Sequence, residues 1–195
     1  MDALKVFLPV LSLEKINDWI NELDVKIRVV PPRKTKLGDF KVIKDSLYIS
    51  VNNDLNLYSF LITLTHELAH AFVYVKHKRA VAPHGSQWQK IFQSMMLNFL
   101  NPKIFPNDLL KALSVYLKQP KASTLTDINL AAVLKKYDRV KVPTISDIAN
   151  ESIFSTSNGR IFKKGKQLRK HYKCIECTTN KVYLFHPFAE VTLIQ

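Results

Sequence analysis

Apolar positions recur every three or four residues over 11–23, where Leu13, Ile16, Ile20 and Leu23 form one stripe behind Ser12, so the spacing predicts a capped amphipathic helix. The period then changes to two. Val25 to Val30 reads VKIRVV, apolar and basic by turns, as a half-exposed strand does, and Pro31 and Pro32 end it. Two more strand-like runs follow, RKTKLGDFKVI with Gly38 at a turn or bulge, and SLYISV. The last closes into Asn52, Asn53 and Asp54, which are N-cap candidates for a long helix. From Leu55 to Lys76 there is neither Gly nor Pro and the chain is apolar on most faces, which predicts a helix buried nearly all round. Beyond the basic connection KHKRAVAP, Ser86 and Gln89 form a capping box. The helix it opens buries Trp88, Ile91, Phe92, Met95 and Met96 and is stopped by Asn101 and Pro102.

Leu109, Leu110, Leu113, Tyr116 and Leu117 mark a further helix, and LTDINLAAVLKKY another, opened by Thr126 or Asp127. From Ile153 onward the pattern is β. SNG, KKG and TTN are turn signals between the short runs RIF, RKHYKC, KVYLF and AEVTLI, as in an antiparallel meander. The class is therefore α+β, divided as 1–102, a helical connection over 103–150, and a basic β subdomain over 151–195.

A length of 195 residues with 47% hydrophobic content suits one folded domain with a small appendage. Twenty-nine Lys and Arg stand against sixteen Asp and Glu, a net charge of +13, which points to a polyanionic partner, nucleic acid ahead of a membrane surface. Two cysteines three positions apart are no disulfide scaffold and favour a reducing compartment. The opening MDALKVFLPVLSLEKI is broken by Pro9 and lacks a basic cluster, so it does not read as a signal peptide. Leu55 to Val75 is long enough to resemble a span, yet a single span cannot bring a full ligand set and water into a bilayer. The expectation is a cytoplasmic protein without a membrane partner, nucleoid-associated in a bacterial cell.

The chemistry sits in HELAH, His66 to His70. Residues four apart on a helix share a face, so both imidazoles can reach one ion. Glu67 is turned roughly 100° from His66, beside the ion rather than on it, where a carboxylate can act as general base on water. A catalytic zinc usually takes three protein ligands and keeps one position open. The remaining histidines are His77, His84, His171 and His186, and acidic residues are also available. His84 is favoured: the chain has turned after the helix, Gly85 allows close approach, and the next helix fixes the position. His77 lies two turns beyond His70, too far for the same ion, and reads as surface.

THELAHAF, PHGSQWQKIF, TKLGDF and LYISVN together resemble the SprT-like metalloprotease domain, whose eukaryotic members include the Spartan DNA–protein crosslink proteases. The resemblance covers about the first hundred residues. It implies a zincin-like metalloprotease domain with one zinc per chain, held by His66, His70 and His84, with Glu67 catalytic. It also implies a protein substrate close to DNA. Family members often end in a zinc ribbon with two cysteine pairs, whereas this chain has only Cys174 and Cys177. A degenerate, metal-free ribbon is the expectation, with a second metal site at Cys174 and Cys177, completed to four ligands by His171 and His186, as the alternative. Lys163, Lys164, Lys166, Arg169 and Lys170, interleaved with aromatic residues, are the candidate nucleic-acid contacts, and Lys26 to Lys44 is a second basic cluster. A rival reading is a basic nucleic-acid-binding module whose zinc is structural or vestigial.

Overall fold

The computed structural model describes residues 4–33, 35–78 and 80–194, apart from the side chain of Leu125. Lys34 and Arg79, one in each of two basic stretches, lie outside the described residues. The chain is α+β and divides into two compact units, Met1–Asp138 and Arg139–Gln195.

In the first unit α1 (Leu13–Leu23) buries Ile16, Trp19 and Leu23 and ends where Asp24 turns left-handed, at φ 46°. Three strands follow, β1 (Val25–Val30), β2 (Gly38–Ile43) and β3 (Ser46–Asn52). β3 is central, parallel to β1 and antiparallel to β2, so β2 is an edge strand. Alternation sends Leu47, Ile49 and Val51 into the core, where α2 (Leu57–His77) lies across the sheet. From Phe60 to Ala69 every residue of α2 is buried. The helix is apolar all round because protein surrounds it, and among the described residues no helix is long and apolar enough to cross a membrane.

Its cap is not one of the three residues the sequence suggested. Asn56 accepts from Tyr58 N at 3.1 Å and Ser59 N at 2.9 Å. Its amide donates to the Leu134 carbonyl at 3.0 Å and to Asp138 Oδ1 at 2.6 Å. Asn52, by contrast, is committed to the loop after β1: it accepts from Arg33 Nε at 2.9 Å and donates to the carbonyls of Lys36 (3.0 Å) and Arg33 (3.3 Å).

α3 (Ser86–Leu97) packs Trp88, Phe92, Met95 and Met96 against α2. The expected capping box does not form. Gly85 is the N-cap, Ser86 Oγ bonds Gln87, and the Gln89 amide donates to the Pro120 carbonyl. α4 (Asn107–Tyr116) and α5 (Ile128–Lys135) place Leu109, Leu113, Tyr116, Leu130 and Leu134 in this same core. Asp127 caps α5 through Leu130 N at 3.0 Å.

The second unit is a five-stranded antiparallel sheet, ordered β7-β6-β5-β4-β8. Its strands are β4 (Ile153–Ser155), β5 (Ile161–Gln167), β6 (Tyr172–Glu176), β7 (Val182–Phe185) and β8 (Thr192–Leu193). The first four form the expected meander, and β8 returns to pair with β4. SNG is a turn, with Gly159 at φ 80°, but KKG lies inside β5. There a Cβ on Gly165 would stand 2.5 Å from the Lys173 carbonyl, so glycine serves close strand approach rather than a turn. Ile145, Phe154, Phe162, Cys174 and Val191 form the core.

Candidate metal centre

One turn of α2 carries His66 and His70, and the segment between α2 and α3 brings His84 to them. The chain reverses at Lys78, at φ 51°, and Gly85 starts the next helix at an ordinary φ of −71°. A Cβ on Gly85 would lie 3.3 Å from Ala82, so the glycine serves the tight approach anticipated for it. The three Nε2 atoms form a triangle with sides of 3.0, 3.1 and 3.2 Å. Donors on a zinc tetrahedron with bonds of about 2.0–2.1 Å stand roughly 3.3–3.4 Å apart, so this triangle is one slightly contracted face of such a shell. Among the described residues it is the group of three or more His, Cys, Asp or Glu side chains able to hold a metal ion.

Burial first, then the neighbouring imidazoles, press the pKa of His66 down to about 3. Burial and His84 press His70 to about 4, and burial lowers His84. All three are therefore neutral at neutral pH, the state in which a ring nitrogen offers a lone pair to a metal. Three lone pairs meeting at such distances repel one another until a cation shares them, so the donor set fits a metal. Trp88 holds the cluster from below. It stacks on His70 with ring centres 5.4 Å apart and on Phe92 at 5.0 Å, and its indole N–H points to the His66 carbonyl at 3.4 Å.

Glu67, next to His66 in the chain, lies against the start of β2. A Cβ on Gly38 would stand 2.7 Å from Glu67 Oε1 and from Thr63 Cγ2, so strand and helix meet there only because position 38 lacks a side chain. Burial, then the nearby Asp39 carboxylate, raise the Glu67 carboxyl to about 8. Arg33, the Phe40 backbone N–H and Lys36 pull the other way. His66 and Glu67 open on a cleft of about 150 Å³. One wall is Thr35 to Gly38 and the other Ala122 to Thr124. The Asn52 and Arg33 bonds fix the first wall, and Gln89 holds the second through Pro120. Sequence periodicity gave no sign of either clasp, because both are side-chain bonds to groups far away in the chain.

The remaining expected residues lie apart from this centre. Lys163 is ion-paired with Glu151 at 2.5 Å. Lys164 is 3% exposed, with Nζ donating to the Ile148 carbonyl at 2.6 Å and lying 4.2 Å from the centre of the Tyr172 ring, so it is no surface contact. It shares the inward face of β5 with Phe162. Lys166, Arg169 and Lys170 are exposed. Cys174 is buried and Cys177 exposed. The His171 and His186 rings stand 6.1 Å apart, and His77 is half-buried.

A helix-borne histidine pair, a third histidine from the following segment and a carboxylate beside them define a metalloprotease-related domain able to hold a metal ion. Residues 14–107 match the SprT-like family, and this stretch is a SprT-like domain. Comparison with curated proteins and with solved structures gave no match.

Proposed function

We propose that the chain is a zinc-dependent endopeptidase of SprT-like type acting on proteins associated with DNA, as in DNA–protein crosslink repair. The first unit is then a zincin-like domain with one zinc per chain, and the second a degenerate zinc ribbon whose sheet needs no metal. The observation that carries the reading is the Nε2 triangle of His66, His70 and His84 with Glu67 buried beside it and outside the ligand group. Three protein donors with one position left over is the pattern of a catalytic site, whereas a structural zinc is closed by four.

A zinc ion bound there supplies Lewis acidity toward a peptide carbonyl and acidifies water. The protein's own groups do the rest. Trp88 holds the imidazoles in place and excludes water beneath them. Glu67 takes a proton from the attacking water on its carboxylate and returns it to the departing amine. Burial and the Asp39 carboxylate raise the Glu67 carboxyl and so its proton affinity, and a cation held by the three histidines would favour its ionised form, the state that accepts the proton. The cleft between Gly38 and Thr124 receives the substrate, and β2, an edge strand, offers backbone groups to an extended peptide.

Glu67→Gln keeps size and shape but cannot accept the proton. Zinc content should persist while cleavage of a DNA-bound basic protein collapses, by about 10²-fold or more. If wild type cleaves no faster than the background seen with Glu67→Gln, with zinc in both, the peptidase reading fails and the binding module with a structural zinc replaces it.

A further inference from the structure

The outer face of the three-stranded sheet carries an arrangement that peptide cleavage does not use. Val25, Leu47, Ile49 and Val51 point into the core. Alternation therefore turns Lys26 and Arg28 of β1, Tyr48 and Ser50 of β3, and Asp39 and Lys41 of β2 the other way. The register sets them in two rows. Lys26 is opposite Tyr48, which is opposite Lys41, and Arg28 is opposite Ser50, which is opposite Asp39. Lys26 Nζ and Arg28 Cζ each lie 5.4 Å from the centre of the Tyr48 ring. Arg33 is fixed at the end of the second row by Ser50 Oγ at 3.0 Å and Asn52 at 2.9 Å. The three strands hold one acidic residue, Asp39, already paired with Lys36 at 2.8 Å and Lys41 at 3.2 Å. Lys26, Arg28 and Lys41 are exposed and Tyr48 is partly so.

We propose that this face binds single-stranded nucleic acid, with a base stacked at Tyr48 and the flanking phosphates on Lys26, Arg28 and Lys41. Neighbouring strands are about 4.8 Å apart, so the aromatic ring has a cation one strand away on either side. A pleated face with such a row suits a strand whose bases are free to stack, whereas a duplex keeps its bases inside. An acidic peptide would use the cations and leave the ring idle. The inference rests on the nucleic-acid partner of the proposed function and moves its surface from the lysines of the second unit to the first. It also brings the partner near the chemistry, because Arg33 is bonded to Ser50 on this face, Thr35 to Gly38 line the cleft, and Lys36 belongs to both.

The test is fluorescence anisotropy of the full chain with labelled oligodeoxythymidylate of about 16 nucleotides, over a range of salt. Wild-type affinity should fall steeply with salt. Lys26→Ala with Arg28→Ala and Lys41→Ala should weaken binding at least about tenfold and flatten the salt dependence. Tyr48→Leu, which changes no charge, should weaken it by between about 5- and 150-fold, while Tyr48→Phe keeps it. Thermal melting establishes that each variant is folded. Unchanged binding by the triple variant, with loss in Lys166→Ala, Arg169→Ala and Lys170→Ala together, overturns the proposal and leaves the DNA-linked peptidase standing. Wild-type binding by Tyr48→Leu beside loss in the triple variant also overturns it, since the face then attracts charge alone. No binding by wild type at low salt removes both this surface and the nucleic-acid partner, while the peptidase is judged separately by Glu67→Gln.

Discussion

Gly38→Ala is the substitution that most directly probes how the fold aims the carboxylate. The added methyl would stand 2.7 Å from both Glu67 Oε1 and Thr63 Cγ2, and 2.8 Å from Glu67 Cγ. That is about 1 Å inside ordinary contact at roughly 3.5–4.0 Å. The backbone at Thr63 and Glu67 belongs to a buried helix and is fixed, so the clash is relieved by the Glu67 side chain turning into the cleft or by a shift of β2, an edge strand paired with β3. Overpacking of this kind costs about 1–3 kcal/mol, which in a domain of this size lowers the melting temperature by roughly 2–12 °C. A displacement of about 1 Å between a catalytic group and its substrate costs on the order of 10²-fold in rate. None of the three histidines is among the atoms the methyl would meet, so zinc per chain should not change. The assay is cleavage of a DNA-bound basic protein by wild type and Gly38→Ala at equal zinc content, with melting curves for both. Thr63→Ala in the same chain removes one of the two clashes and should return part of the lost stability. Cleavage within about twofold of wild type, despite a lowered melting temperature, would refute the idea that close approach at Gly38 sets the position of Glu67.

His84→Ala should reduce zinc from one per chain to well below that, measured by metal analysis after dialysis, and full retention would remove His84 from the ligand set. Asn56→Ala should cost about 1–3 kcal/mol in denaturant unfolding, since it deprives α2 of its cap and removes the amide bonds to the Leu134 carbonyl and to Asp138. In the second unit, the Arg160 bond at 2.6 Å and then the Thr179 hydroxyl hold the Glu176 carboxyl below its ordinary 4.5. A depressed folded pKa contributes stability that is complete above the unfolded value and fades as pH falls through the folded one. Glu176→Gln should therefore melt lower than wild type at neutral pH, and the difference should shrink below about pH 4. A difference independent of pH would assign it to packing instead.

How much was legible in the chain depended on whether the information was local. HELAH needs only helical spacing, and the strands over 25–30 and 46–52 need only alternation, so both were readable. The cap of α2 was not. Four Asn or Asp residues crowd positions 52–56, and bonds to Leu134, Asp138 and Lys36, distant in sequence, decide which one caps and which one clasps the loop. The burial of Lys164 was within reach. Phe162 and Lys164 are two apart on one strand, so a lysine on the core face follows from period two once KKG is read as strand rather than turn. Gly165 obscured it, because a glycine demanded by close approach to Lys173 looks in sequence like a glycine demanded by a turn.

The same contrast separates the reacting groups from the walls around them. The SprT-like match ends at residue 107, yet Ala122 to Thr124 line the cleft on which His66 and Glu67 open. They are held there by bonds the matched segment reaches out to make: Gln89 to the Pro120 carbonyl at 3.2 Å and Gln93 to the Leu117 carbonyl at 2.6 Å. Tyr116, at the end of α4, adds a third, to the Lys121 carbonyl at 2.9 Å. The metal-holding geometry therefore belongs to the matched domain, while one side of the space a substrate must enter is built from this chain's own continuation. Changes at 122–124 should alter which peptides enter while leaving the histidine triangle intact, because no ligand rests on that segment.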